Sequence, residues 1–464
     1  MQKTIKLAYD WYAPEFPLNN NQSSFINAIE KARKINDKDR KNTLDNTLFP
    51  YRSLEIFSKD DTYEYVTSAS IKDNDYFIYE FAFEIRNLNH AVHNNVDIFS
   101  LTHISDFILE QIKTKNGYIL IDLSHETVSM YHHYQINTLF VLHKYFKSRD
   151  IPLYKIIFLT GGANVPEIYR KYCIKDDIPG RERMVVKNYE WFEYLCSKEL
   201  NELEHIPKPN DNIYKIKKTF LCYNRRYKPH RTDLYVMFWK FGLLNTSFYS
   251  MPLKSTNDTT HTTGPTIDFA SNYKLDELSS YDVISATKQM FKSSNIMDSD
   301  KMNELCSTLP AIIDSRKDLK DMIKMIDTEQ AVYDSSLISV VTESNFYTED
   351  VFNTEKTWKA VANKHPFILV GPMHSLKYLK SLGYKTFSDF FDEGYDDIEN
   401  PTERLMAIAK LCRDIEDWDF NRKRDFFNET VGITEYNFNL LKSVYHNKKK
   451  LVLEHIAHIN PLMT

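Results

Sequence analysis

The sequence predicts an α/β protein of two parallel-sheet domains with a helical tail. Three observations carry this: short apolar runs alternate with longer helical patterns, the alternation breaks and restarts around a polar, proline-containing stretch, and the chain from Pro401 onward reads as helix. A chain of 464 residues is also too long for one ordinary core and suits two.

In the first half the apolar runs are Ile5–Tyr9, Tyr76–Phe83, Tyr118–Leu123, Lys155–Thr160 and Met184–Lys187, each read as a strand. Helical patterns stand between them, such as Ser129–Ser148 and Val165–Tyr172. Gly161-Gly162 closes one run as a tight turn, and Pro166 suits the first turn of the helix that follows. The pattern breaks at Ile206-Pro207-Lys208-Pro209-Asn210-Asp211-Asn212, which reads as an interdomain linker. A second series follows at Thr219–Tyr223, Ser247–Met251, Leu337–Thr342 and Pro366–Val370, with long loops at Ser255–Gly264 and Ser293–Thr308. The predicted domains are 1–208, 215–420 and a helical segment 421–464 packing back toward the first.

Composition narrows the classes of function. The chain is 42% hydrophobic and 27% charged, which is globular. Its 10 glycines argue against a glycine-loop nucleotide fold, and its net charge of -5 supplies no global field for a polyanion. Five scattered cysteines without a Cys-x-x-Cys pair read as reduced thiols. No apolar run approaches the ~20 residues that span a bilayer. The opening residues read as a strand and not as a signal peptide, so the expectation is a cytoplasmic protein with no membrane partner.

The chemistry signal is densest between Leu337 and Gly371. An apolar strand ends in Glu343, a polar loop follows, and Asn353-Thr354-Glu355-Lys356 opens a helix before the next strand, His365-Pro366-Phe367-Ile368-Leu369-Val370-Gly371. A helix start offers unpaired N–H groups and a positive dipole end to phosphate oxygens. Lys356 adds a full charge there, Thr354 a hydroxyl, and Glu355 an acceptor for a ribose diol. The bland alternative is a capped helix with a solvated first turn. Earlier in the same half, Phe220-Leu221-Cys222-Tyr223-Asn224 reads as a strand, and Pro229-His230-Arg231-Thr232-Asp233 opens the next helix.

These two pieces resemble the donor-binding half of α-1,3-fucosyltransferase-like enzymes, whose pattern is Glu-Asn-Ser, a short loop, Tyr-Val-Thr-Glu-Lys and then Pro-x-x-x-Gly. The segment from Phe367 to Tyr395 is similar to a broader set of glycosyltransferase-like proteins common in viruses. The resemblance covers the second half only, and the loop from Glu343 to Thr354 is longer here than in fucosyltransferases. It implies the GT-B architecture, two Rossmann-like domains facing a cleft, and a nucleotide-sugar donor. By it, Arg231 and Lys356 hold the phosphates, Glu355 the ribose, Glu343 the sugar or ribose, with Asn224 and Thr354 beside them.

The first domain is then expected to supply the acceptor site and a general base. The segment Ile121-Asp122-Leu123-Ser124-His125-Glu126 is the candidate, with Glu126 ranked first, Asp122 second and His125 third; an acidic turn capping the next helix is the alternative. Asp10 is a weaker choice. No cofactor and no metal are expected: Asp73-Asn74-Asp75 and Asp298-Ser299-Asp300 follow no strong strand and read as surface loops. His132 and His133 point to different helix faces. A basic cluster of Lys215, Lys217, Lys218, Arg225, Arg226, Lys228 and Arg231, with Lys448-Lys449-Lys450, reads as solvated or as a phosphate-tracking strip. The second reading makes hydroxymethylated pyrimidines of viral DNA the acceptor. Glycan- or protein-directed transfer and a catalytically inactive GT-B binding protein are the alternatives.

Overall fold

The computed structural model describes residues 5–9, 63–81, 99, 104–124, 138–203, 211–224, 228–251 and 330–457. They form two compact units, one of residues 1–191 and 446–464, the other of 192–445.

In the first unit, β1 (Ile5–Tyr9), β2 (Tyr63–Thr67), β3 (Phe77–Glu80), β4 (Gly117–Leu123), β5 (Ile156–Thr160) and β6 (Val185–Asn188) make one sheet in the order β2-β1-β3-β4-β5-β6. Every pairing is parallel. Parallel strands need crossover connections, here α1 (Asp106–Thr114), α2 (Thr138–Ser148) and α3 (Val165–Lys175) among the described residues. Strand β4 is buried along its whole length, as a strand covered on both faces must be. Alternate residues Ile119, Ile121 and Leu123 join Phe77, Leu142, Phe146 and Phe158 in the core.

The second unit contains α4 (Trp191–Glu202) from Phe192 onward, then β7 (Lys218–Tyr223), α5 (Pro229–Lys240), β8 (Ser247–Ser250), α6 (Gln330–Tyr333), β9 (Ser336–Thr342), α7 (Glu355–Ala362) and β10 (Phe367–Val370). Its sheet, also all parallel, runs β10-β9-β7-β8. Helices α8 (Ser375–Ser381), α9 (Pro401–Glu416), α10 (Phe420–Glu429) and α11 (Val431–Ala457) follow, so the helical tail is present as three consecutive helices from Pro401. Asn400 starts α9 by accepting from Thr402 and Glu403 N–H groups, and Asp419 starts α10 through Arg422 N–H.

The two-sheet parallel α/β class is the one the sequence predicts, and the strands fall where the apolar runs lie. Three details differ. Strand β2 has no counterpart among the sequence-read strands. The break between units falls at Trp191/Phe192, ahead of the proline stretch, because α4 packs with the second core. Cys196 and Leu200 belong to that core, Glu193 accepts from the Tyr384 hydroxyl at 2.7 Å, and Ser197 and Asn201 donate to the Lys442 carbonyl. Residues 421–445 likewise belong to the second unit.

Candidate functional site

From β7 the chain crosses through α5 to β8 on one side, whereas from β9 it crosses through α7 to β10 on the other. The strand order therefore reverses between β7 and β9, and open α/β sheets bind ligands outside the carboxyl ends of their strands at such a reversal. Six residues singled out from the sequence (Asn224, Arg231, Glu343, Thr354, Glu355 and Lys356) meet here. Thr342, the last residue of β9, donates to Asn224 Oδ1 at 2.6 Å and ties the two strand ends together.

Glu343 is 1% exposed, and its carboxylate is fully engaged. Oε1 accepts from the Thr354 backbone N–H at 3.0 Å and the Thr357 hydroxyl at 2.6 Å. Oε2 accepts from the Thr354 hydroxyl at 2.5 Å and the Ser344 N–H at 3.2 Å. A negative group thus occupies the positive end of α7, where the helix dipole favours it. These bonds also close the neck of an Ω-type loop, residues 344–353, whose ends lie side by side. Lys356 Nζ spans the same neck, donating to Ser344 Oγ at 3.2 Å, Thr354 Oγ1 at 2.7 Å and Glu355 Oε1 at 3.0 Å. The body of the loop is held by Arg404, which donates to the Phe346 carbonyl at 2.8 Å and stacks its guanidinium 4.7 Å over the Phe346 ring.

Arg231 is 3% exposed. Its Nη2 donates to the carbonyls of Thr342 at 3.0 Å and Glu343 at 3.2 Å, so the guanidinium fastens α5 to the end of β9. Beside it His230 is buried, and burial followed by the Arg231 charge holds its pKa well below the usual histidine value. The imidazole is neutral, and because the Glu343 carbonyl 3.0 Å away only accepts, Nε2 carries the proton.

Glu355 and Lys356 differ from their neighbours in keeping side-chain exposure, 28% and 22%. Burial pushes the Glu355 carboxyl upward, but the charges of Lys356 and Lys359 and the Lys356 hydrogen bond pull harder, leaving it at about 2. It is a carboxylate at any physiological pH. The helix start therefore presents one anion and one cation side by side on a frame fixed by Glu343, Thr342, Asn224 and Arg231. This pair can accept hydrogen bonds from a diol and donate to a phosphate.

In the first unit Asp122, near the end of β4, is 7% exposed, and its Oδ1 accepts from the Ser124 N–H at 2.9 Å. Glu126, His125, Asp10, His132, His133 and Asp298-Ser299-Asp300 lie outside the described residues. In this sheet the order reverses between β1 and β3, not at β4. Among the described residues a carboxylate at that reversal is Glu80, the last residue of β3 and 5% exposed, which sequence reading passed over. Its signal was available: a single acid inside the apolar run Phe77-Ile78-Tyr79-Glu80-Phe81.

Asp73-Asn74-Asp75 forms a turn ahead of β3, at the amino end of the sheet. Asp73 pairs with Lys115 at 2.5 Å and Gln111 at 2.9 Å, and Asp75 pairs with Lys6 at 2.8 Å. Among the described residues no group of three or more His, Cys, Asp or Glu is placed to hold a metal ion, and no helix is long and apolar enough to cross a membrane. Of the basic cluster, Arg225 and Arg226 lie outside the described residues, as do the side chains of Lys448-Lys449-Lys450. Lys215, Lys217 and Lys218 stand at the amino end of β7 and Lys228 beyond its carboxyl end, about 20 Å apart at 3.3 Å per residue. Lys215 is paired with Asp211, and Lys218 donates to the Asn245 carbonyl.

No protein-family model matches the chain, and no curated protein matches it. Among solved structures it is similar to an α,α-trehalose 6-phosphate synthase from Burkholderia multivorans, with a TM-score of 0.41 at 9% identity over 84% of this chain and 73% of that one. It is also similar to a UDP-forming α,α-trehalose-phosphate synthase from Burkholderia vietnamiensis, with a TM-score of 0.40 at 10% identity over 83% and 76%. A UDP-forming α,α-trehalose-phosphate synthase from Burkholderia xenovorans gives 0.41 at 6% identity over 97% and 99%.

Proposed function

We propose that the protein is a glycosyltransferase that takes a sugar from a nucleotide-sugar donor, held on the second unit, and moves it to an acceptor hydroxyl. The observation that supports this is the partly exposed Glu355–Lys356 pair at a helix start beside the strand-order reversal. Lys356 exchanges a neutral hydroxyl partner for a diphosphate oxygen, and Glu355 accepts from the ribose hydroxyls. Asn224, Arg231, Glu343 and Thr354 are buried and bonded within the protein, so their part in this reading is positioning. That differs for Arg231 from the phosphate contact implied by the sequence resemblance.

In the reaction, the bond from the sugar's anomeric carbon to a diphosphate oxygen breaks, and the diphosphate leaves with the electron pair against the Lys356 ammonium. The acceptor oxygen forms the new bond, and a first-unit carboxylate, Asp122 or Glu126, takes its proton. The chemistry is read as metal-independent because side chains supply the cation. Lys215, Lys217 and Lys218 stand at the amino end of β7, away from the donor site at the carboxyl end, which favours an acceptor other than duplex DNA.

Transfer of radiolabelled sugar to a glycan mixture, hydroxymethylated DNA and unmodified DNA tests this, each with and without EDTA. Label in the glycan fraction that survives EDTA is expected. Label in none of them, with no nucleotide-sugar bound, overturns the reading.

A further inference from the structure

Asn353 immediately precedes the Thr354 cap of α7 and is 1% exposed. Neither its Oδ1 nor its Nδ2 has a hydrogen-bond partner among the described residues. Asn345, just inside the other end of the loop and 8% exposed, also has an unpartnered Nδ2. Both amides flank the neck that Glu343 closes and Lys356 spans. Buried polar groups are nearly always paired, because an unpaired one forfeits its bonds to water and gains none. An apolar side chain of the same size would suit the site better as it stands, so the folded protein gives up stability to keep an amide there. Such a trade is the usual mark of a residue retained for binding.

We propose that Asn353 is a ligand-reading residue of the donor site, resting on the nucleotide-sugar reading above. Its amide offers a donor and an acceptor together. It therefore fits a group that also does both: the vicinal hydroxyls of a sugar, or the edge of a base that pairs an N–H with a carbonyl. Since the amide is enclosed, contact requires the 344–353 loop to shift at its neck, so ligand binding and loop position are coupled.

The test is Asn353→Leu, with Asn353→Val as a second, smaller apolar variant. Melting temperature is measured without ligand, then affinity for UDP, GDP and their sugar conjugates by calorimetry. The expected result has opposite signs: the unliganded melting temperature rises, while affinity falls by about tenfold, the worth of one to two lost hydrogen bonds. Loss confined to the sugar conjugates assigns the amide to the transferred sugar, and loss for all of them to the nucleoside. A fall in unliganded melting temperature in both variants shows that the amide has an internal partner and overturns the proposal, as does unchanged affinity. If the wild-type protein binds none of the ligands, the donor reading fails and this inference with it.

Discussion

The carboxylate of Glu343 receives both the backbone N–H and the hydroxyl of Thr354, eleven residues further along the chain, at 3.0 and 2.5 Å. One buried side chain thus fixes where β9 ends, where α7 begins and how the loop between them closes. Replacing it by alanine strands the Thr354 N–H and the Thr357 hydroxyl in a buried place, at a cost of roughly 3 kcal/mol. Urea denaturation of Glu343→Ala is expected to show a lower midpoint with an unchanged slope. An unchanged midpoint would show that the neck contributes nothing to the fold.

Arg231 and Lys356 are expected to separate. Arg231→Ala leaves the Thr342 and Glu343 carbonyls short of a buried charged donor and lowers stability by about 2–3 kcal/mol. Lys356 is partly exposed, so Lys356→Ala shifts the melting temperature little. Equal losses of stability in both variants would contradict the division between frame and contact residues.

Arg404 holds the loop from behind, through the carbonyls of Phe346, Ile398 and Glu399. Arg404→Met keeps most of the bulk and removes the donors, and a loss of about 2–4 kcal/mol is expected. Hydrogen exchange should show faster opening of residues 344–353 than in the wild type; unaltered exchange there would mean that Arg404 does not restrain the loop.

Asp233, on α5 beside Tyr347, has its carboxyl raised by burial from 3.8 to about 7, with the Tyr347 hydroxyl pulling slightly the other way. A raised acid pKa means that the folded state holds a proton the unfolded state has released. Stability from this group is greatest below pH 3.8, falls as pH climbs to about 7, and is level above. Asp233→Asn removes that dependence, so the variant should gain on the wild type at pH 8 and match it more closely at pH 5. A difference independent of pH would argue against a half-buried carboxyl that holds its proton in the folded state.

Much of this architecture is legible in the sequence because it is local. Apolar runs such as Ile338-Ser339-Val340-Val341 mark strands, and Asn353-Thr354-Glu355-Lys356 marks a helix start whatever surrounds it. Strand β2, Tyr63-Glu64-Tyr65-Val66-Thr67, is short and interrupted by an acid, which weakens its apolar signal. The position of α4 was hidden because its deciding contacts are to Tyr384 and Lys442, nearly two hundred residues and more away. Within the site, residue types were readable and side-chain directions were not. A strand-terminal glutamate and a helix-start arginine suit a ligand equally well on paper, yet Glu343 turns toward Thr354 and Arg231 toward the carbonyls of β9. Glu80 was missed because one charge in an apolar run is easily taken as the far side of a strand.

In the proposed function the start of α7 holds a nucleotide-sugar. Calorimetric titration of the wild-type chain and Lys356→Ala with UDP-, GDP-, CMP- and dTDP-sugars tests it most directly. Saturable binding of at least one conjugate is expected, weakened in Lys356→Ala by about 1.5–3 kcal/mol, the worth of a charge-assisted hydrogen bond. Binding equally tight in the variant, or no binding of any conjugate to either protein, would contradict it.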